Sequence, residues 1–312
     1  MSVRILSTSE LVGPALGLLG KLLPELAVAP YRSREWHSGL ATAEALVVLL
    51  SEPVTEADLA LAPNLKAIGT YSVGINHLPL EACKARGIRI INTPEVLTDA
   101  TADLALAMLL SLSRRLPEGE QLARSGAWPG WAPDQVLGTS LAGKCCGILG
   151  SGPIGKAFAR RVAALGMRPL FWARDPGAGS VDFGAGIAPR LALAELLPQS
   201  AVLSLHCPLT ADTRGLLSQE QLLRLPPGAF LINTARGGIV DEEAAIRLLH
   251  QGVLAGVALD VYAGEPVINP AWFTAPRALL LPHLGSATRE TRADMANLLC
   301  DGIGATLGGK LG

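Results

Sequence analysis

Short apolar runs alternate with amphipathic ones along most of this chain. Residues 3–6, 45–50 (ALVVLL), 65–69 and 87–91 (GIRII) are largely apolar on consecutive positions and predict four short strands. Helical runs such as 78–85 lie between them. Strands that are apolar on both faces belong to a parallel sheet covered by helices.

The pattern changes at Asn92-Thr93-Pro94. Residues 98–112 predict one long helix, capped by Thr98 or Asp99, with an apolar face through Leu104, Met108 and Leu112. Arg114-Arg115 and Pro117 end it, and residues 127–138 (AWPGWAPDQVLG) make a Trp- and Pro-rich loop. A second α/β series starts at Cys145. Its strands are predicted at 146–149, 169–172, 201–205, 229–233, 256–260 and 279–281. Six strands is the count of a full dinucleotide-binding sheet. A last helix at 286–307 is expected to pack back on the first half of the chain.

A length of 312 residues suits one large domain or two ordinary ones. With 49% hydrophobic residues and a formal net charge of −1, the chain is neither a disordered polymer nor a basic nucleic-acid binder. No uncharged apolar run approaches the ~18 residues of a membrane span. The opening MSVRILSTSE lacks the apolar core of a signal peptide. The 5 cysteines include an adjacent pair but no C-x-x-C, which predicts free thiols in a reducing cytoplasm and no metal site.

The run GILG at 147–150 leads into Gly150-x-Gly152-x-x-Gly155, and a helical run follows. Gly150 permits a tight turn, Gly152 a close backbone approach to a pyrophosphate, and Gly155 close packing of helix on strand. The helix start near Pro153 then points its positive end and free N–H groups at the phosphates.

Ligands of open α/β sheets lie beyond the carboxyl ends of the strands. Titratable groups stand there at four places: His206 after AVLSL, Arg236 after LINTA, Asp260 and Glu265 at the end of GVALD and beyond it, and His283 after ALLLP. A nicotinamide enzyme that reduces a 2-oxo acid needs an acid for the carbonyl oxygen and a cation for the carboxylate. Histidine suits the first task and arginine, with its planar fork, the second. A glutamate beside the histidine would orient it and favour its protonated form. Of the 5 histidines, His37 and His250 sit in polar stretches, while His77, His206 and His283 all stay open.

YSVGINHLPL from Tyr71, NTPEVLTDATADLALAMLLSLSRR from Asn92, HCPLTADTRGLL from His206, INTARGGIVDEEA from Ile232, GVALDVYAGEP from Gly256 and LPHLGSAT from Leu281 follow one another. In content and order they resemble the D-isomer-specific 2-hydroxyacid dehydrogenases. The similarity runs from about Tyr71 to the end of the chain. Glu265 narrows it, because the family's formate dehydrogenases carry glutamine there and fit poorly. SVGINHLPLEACKARGIRI, the Trp128-x-x-Trp131 loop and LPHLGSATRETRADM are most similar to the glyoxylate/hydroxypyruvate reductase branch.

The resemblance implies an α/β fold of two lobes: a Rossmann dinucleotide-binding domain (98–283) inserted in a flavodoxin-like substrate domain (1–97 and 284–312). It implies that Arg236 binds and polarises the 2-oxo acid, that Glu265 pairs with His283, and that His283 is the acid/base. The backbone of Ser72, Val73 and Gly74 would hold the substrate carboxylate, and Asp260 the nicotinamide carboxamide. The cofactor would be lined by Thr101, by Gly150, Ser151, Gly152, Pro153, Ile154 and Gly155, by His206, Cys207, Pro208 and Thr213, by Thr234, Ala235 and Arg236, and by His283 and Gly285.

In the family frame Ala173 occupies the place of the acid that binds the ribose hydroxyls, and Arg174 follows it. Alanine removes a carboxylate that would repel a 2′-phosphate, and arginine supplies a fork that would bind it. NADP(H) is therefore expected in preference to NAD(H). A small 2-oxo or 2-hydroxy acid substrate, a homodimer with the Trp-rich loop reaching across, a cytoplasmic location and no nucleic-acid or membrane partner complete the expectation. Two alternatives stay open: a phosphoglycerate dehydrogenase of the same family, and an NAD(H)-sensing corepressor-like protein of the same fold.

Overall fold

The computed structural model describes residues 5–8, 26–172 and 179–308. The chain divides into two units, Met1–Leu97 with Ser286–Gly312, and Thr98–Gly285. The return crossing follows Gly285, slightly beyond the 283 expected from sequence.

In the first unit β1 (Ile5–Ser7), β2 (Leu26–Val28), β3 (Ala45–Val48), β4 (Ala67–Thr70) and β5 (Arg89–Ile91) form a parallel sheet in the order β2-β1-β3-β4-β5. This is the flavodoxin-type winding. Leu46, Val48 and Ile68 pack on one face with Trp36 and Leu40 of the helix Arg34–Leu40. Ser33 starts that helix by accepting the Trp36 N–H. Side chains alternate across a strand, so position 69 faces the other way. There the helix Arg289–Leu307 lies so close that a Cβ on Gly69 would meet Ile303 at 3.2 Å. β2 is not among the strands the apolar pattern predicts. Three residues at a sheet edge carry too little signal to stand out from a loop.

The second unit holds β6 (Cys145–Leu149), β7 (Arg168–Trp172), β8 (Ser180–Asp182), β9 (Ile187–Leu191), β10 (Val202–Leu205), β11 (Ala229–Asn233), β12 (Leu254–Leu259) and β13 (Ala278–Leu280). They form one sheet ordered β13-β12-β11-β10-β6-β7-β9-β8. Within it, β9-β7-β6-β10-β11-β12 is the Rossmann winding 3-2-1-4-5-6. β13 is added parallel at one edge and β8 antiparallel at the other. The prediction of six strands is thus corrected to eight among the described residues. β8 and β9 escaped it because they form a short edge pair of mixed polarity, in which Ile187 is 75% exposed. β9 fills the third Rossmann seat, and β13, counted among the six, lies outside that winding.

The helix Thr98–Ser113 packs on the helix Pro153–Ala164, burying Ala102, Ala105, Met108, Leu109 and Leu112 beside Ala157 and Phe158. The small residues Ala102 and Ala105 let the helices approach, and Leu104 is left half-buried at the rim. Arg161 bonds Asp103 at 2.6 Å and Asp99 at 3.0 Å across this contact. Thr98 and Asp99 lie inside the helix rather than capping it. Pro117 sits in the first turn of a further helix, Leu116–Arg124, entered through left-handed Arg115. A proline is harmless there because first-turn N–H groups have no partner within the helix. Among the described residues no helix is long and apolar enough to cross a membrane.

Candidate active site

After β6 the chain turns through Gly150 into the helix Pro153–Ala164. Gly150 has φ +118°, and a Cβ there would press on the His206 carbonyl oxygen at 2.6 Å. A Cβ on Gly155 would lie 2.0 Å from the Gly150 carbonyl oxygen. Gly152 differs, since a Cβ there would meet nothing within 4 Å. Two of the glycines are thus demanded by the protein's own packing, and the third leaves the helix start open. Gly152 caps that helix without a side chain, so its first turn presents N–H groups suited to a pyrophosphate. Ser151 and Ile154 are half-buried around the turn, and Pro153 is exposed. Ala173 and Arg174 lie outside the described residues.

At the end of β10 the His206 ring packs on Phe158 with centroids 4.9 Å apart, and its Nε2 lies 2.8 Å from Ser204 Oγ. Burial pushes its pKa down to about 3, so it is neutral at ordinary pH. The Cys207 thiol is buried and pushed up to about 11. The Thr213 hydroxyl donates to the Pro208 carbonyl and accepts the Thr210 N–H, which turns it inward on its own loop.

The next three strands bring Arg236, Asp260, Glu265 and His283 into one cluster. His283 Nδ1 lies 2.8 Å from Glu265 Oε2, and Glu265 Oε1 accepts the Tyr262 N–H at 2.8 Å. Burial pushes the Glu265 carboxyl up. The bond to His283, the Tyr262 N–H and the charges of His283 and Arg236 outweigh it, holding the group below the usual carboxylate range. Burial lowers the Arg236 pKa, while Glu265 works against that shift. The turn that carries Arg236 is held by Asn233, whose amide donates to the Arg236 carbonyl and whose Oδ1 accepts the Ala235 N–H. The Thr234 hydroxyl beside it is buried and has no partner among the described residues.

His283 adopts a left-handed backbone, φ +57°, which is unusual for a residue with a side chain. Asp260 holds it there. Its two oxygens accept the N–H groups of the next two residues, Leu284 at 2.6 Å and Gly285 at 2.8 Å. Burial raises the Asp260 carboxyl pKa against the pull of those N–H groups and of His283. Thr101 donates to the Gly285 carbonyl at 3.0 Å. Nothing in the sequence signals this duty of Asp260, since its bonds reach backbone that the fold alone brings near, whereas the bonds of Asn233 and Tyr262 span only two or three residues.

In the first unit, Ser72 Oγ donates to the Gly74 carbonyl at 2.7 Å, and Asn92 donates to the Val73 carbonyl at 2.9 Å. Thr70 Oγ1 stands 2.9 Å from both Ser72 Oγ and His77 Nε2, which fixes the loop from below. His77 is therefore engaged under the 72–74 loop.

The family model described as D-isomer specific 2-hydroxyacid dehydrogenase, NAD binding domain, matches residues 106–285. The chain belongs to the D-isomer specific 2-hydroxyacid dehydrogenase family. It is an NAD(P)-dependent oxidoreductase of 2-hydroxy acids. Within the family it is similar to the glyoxylate reductase of Thermococcus litoralis, 41% identical over 280 residues that span 86% of this chain and 82% of that protein. It is 37% identical over 305 residues to the glycerate dehydrogenase of Hyphomicrobium methylovorum, covering 92% and 94% of the two chains. Among solved structures, the NADPH-dependent glyoxylate/hydroxypyruvate reductase of Sinorhizobium meliloti, in complex with NADP and malonate, matches with a TM-score of 0.84 at 32% identity, over 98% of this chain and 93% of that one.

Proposed function

We propose that this dehydrogenase reduces small 2-oxo acids, glyoxylate and hydroxypyruvate among them, with His283 as the proton donor. The observation that carries this is the 2.8 Å pair of Glu265 and His283, with half-buried Arg236 acting on the same carboxylate. A bound dihydronicotinamide supplies the hydride. Glu265 occupies Nδ1 of His283, so Nε2 is the nitrogen that gives a proton to the substrate's carbonyl oxygen. Arg236 grips the carboxylate and stabilises the charge that grows on that oxygen. Asp260 supports the histidine through the backbone after it. The carboxylate-binding role of the Ser72, Val73 and Gly74 backbone rests on the resemblance; within the first unit that loop is fixed by Asn92 on the Val73 carbonyl and Ser72 on the Gly74 carbonyl.

NADP(H) is the preferred cofactor on this reading. Its support is the Ala173-Arg174 pair and the NADPH-dependent relative. A homodimer fits the exposure of Trp128 (54%) and Trp131 (83%), large apolar side chains of the kind interfaces cover. A cytoplasmic enzyme fits the five free thiols. The corepressor-like alternative finds no support in an oriented acid–base pair, which a sensor does not need.

A spectrophotometric panel of 2-oxo acids, each run with NADH and NADPH, tests the reading. Rapid NADPH oxidation with glyoxylate and hydroxypyruvate is expected, and no oxidation with any 2-oxo acid would overturn it. Arg174→Asp together with Ala173→Asp should shift preference toward NADH; an unchanged preference sinks the NADP(H) assignment. A monomer in light scattering ends the dimer.

A further inference from the structure

A two-residue segment, Tyr262-Ala263, touches each part of the acid–base cluster. Gly237, which follows Arg236, packs against it so closely that a Cβ would lie 1.9 Å from the Tyr262 carbonyl carbon and 2.1 Å from the Ala263 nitrogen. The Tyr262 N–H holds Glu265 Oε1, and the Tyr262 hydroxyl donates to the Leu281 carbonyl at 2.8 Å, just before His283. On its other side, the Ala263 N–H donates to Glu242 Oε1 at 2.6 Å. The second oxygen of Glu242 accepts the Trp272 indole N–H at 2.8 Å.

Glu242 is only 9% exposed, although it opens the helix Glu242–His250. A helix dipole favours an acid in a first turn, but it does not ask for a buried one. Nor does the helix need Glu242 as its cap, because Asp241 already accepts the Ala244 N–H. A buried carboxylate is costly unless its oxygens are bonded, and here one oxygen is spent on the segment that carries Glu265 and the other on Trp272.

We infer that Glu242 is a positioning residue for the acid–base pair. It clamps the Tyr262–Ala263 peptide against Gly237, which fixes Tyr262 and so aims its N–H, in the preceding peptide, at Glu265. With one oxygen of Glu265 anchored there, the other stays on His283 Nδ1. Released from Glu242, the peptide can rotate, Glu265 loses its anchor, and the pair loosens. The other charged groups acting on Glu265 and His283 are Arg236 and Asp260, which the clamp leaves in place. This inference rests on the proposed roles of Glu265 and His283.

Glu242→Gln tests it, because the shape is kept while an amide N–H replaces one of two acceptors. In steady-state reduction, kcat should fall on the order of tenfold to a hundredfold, the cost of a small misplacement in a catalytic group. NADPH affinity, read by fluorescence titration, should not change. In a Glu265→Gln background the same substitution should add less than about twofold, because the interaction it serves is gone. A merely architectural Glu242 would add its full loss there, and that result overturns the inference. If Glu242→Gln does not fold, Glu242→Asp withdraws the carboxylate from Ala263 with its charge intact. Wild-type kcat in a folded Glu242→Asp enzyme overturns the inference equally. If Glu265→Gln itself keeps wild-type turnover, the acid–base reading fails first; if it is damaged while the Glu242 variants are not, only the clamp fails.

Discussion

β10 and β13 each deliver a histidine to the carboxyl edge of the same sheet, at His206 and His283. His206 is pressed on Phe158 and linked to a hydroxyl, and burial drives its pKa to about 3. The side chain of His283 keeps 31% of its surface exposed and meets a carboxylate of equal exposure at 2.8 Å. Residue type and place on the strand are nearly the same for both. What separates them is the neighbour: His206 is desolvated without a counter-charge, which favours its neutral form, whereas His283 has a carboxylate partner. The same contrast explains why strand-end position alone left both of these histidines open.

The largest test of this contrast is His283→Ala. Turnover should fall on the order of 10²–10⁴-fold, the usual worth of a general acid. An equal loss in His206→Ala would erase the distinction. Arg236→Ala comes next, with kcat/KM reduced by about 10²–10³-fold as an oxyanion-stabilising donor is lost. Arg236→Lys should restore only part of that, because an ammonium lacks the planar fork; full recovery would reduce Arg236 to a point charge.

A stability effect of intermediate size follows from Glu265, whose pKa is depressed in the folded protein. A depressed carboxylate contributes stability above its unfolded pKa of about 4.3, and that contribution is lost as pH falls through the lower folded value. Acid unfolding followed by tryptophan fluorescence should therefore be less steep in that window for Glu265→Gln than for wild type. Coincident curves would mean that the pair contributes nothing there. The smallest effect is expected from His206→Gln. It should change the cofactor KM modestly and leave the kcat pH profile in place, since a histidine with a pKa of about 3 does not titrate in the working range. A shifted profile would put His206 back in the chemistry.

Much of this site was legible where an apolar run stops and a polar residue begins, as at Arg236, Asp260 and His283. The glycine turn was legible too, because its spacing is local, and the structure adds that Gly150 and Gly155 serve packing while Gly152 alone faces open space. The supports were not. Glu242 and Ala263, or Asp260 and Gly285, are more than a helical turn or a hairpin apart, so no local period links them. The left-handed backbone of His283 had no signal either, for glycine and asparagine are the residues that advertise it. Among the strands, β2 and β8 lacked apolar runs because edge strands need only one partner and little burial, and β9, although paired on both sides, is only partly buried.

The bond from Thr101 to Gly285 has a bearing on the history of the molecule. Thr101 stands just inside the start of the Thr98–Gly285 unit, and Gly285 is its last residue, so the two ends of that unit are fastened to each other at 3.0 Å. A domain whose ends meet can be spliced into the loop of a host without prying that loop apart, and lifted out again in one piece. The host side is equally simple: the chain leaves after Leu97 and returns as the helix Arg289–Leu307, which packs on β4 and β5. Residues 98–285 are in this sense a transferable cassette. One nicotinamide-binding sheet can be lodged in hosts with different substrate loops, and new specificities can arise without rebuilding the support of His283.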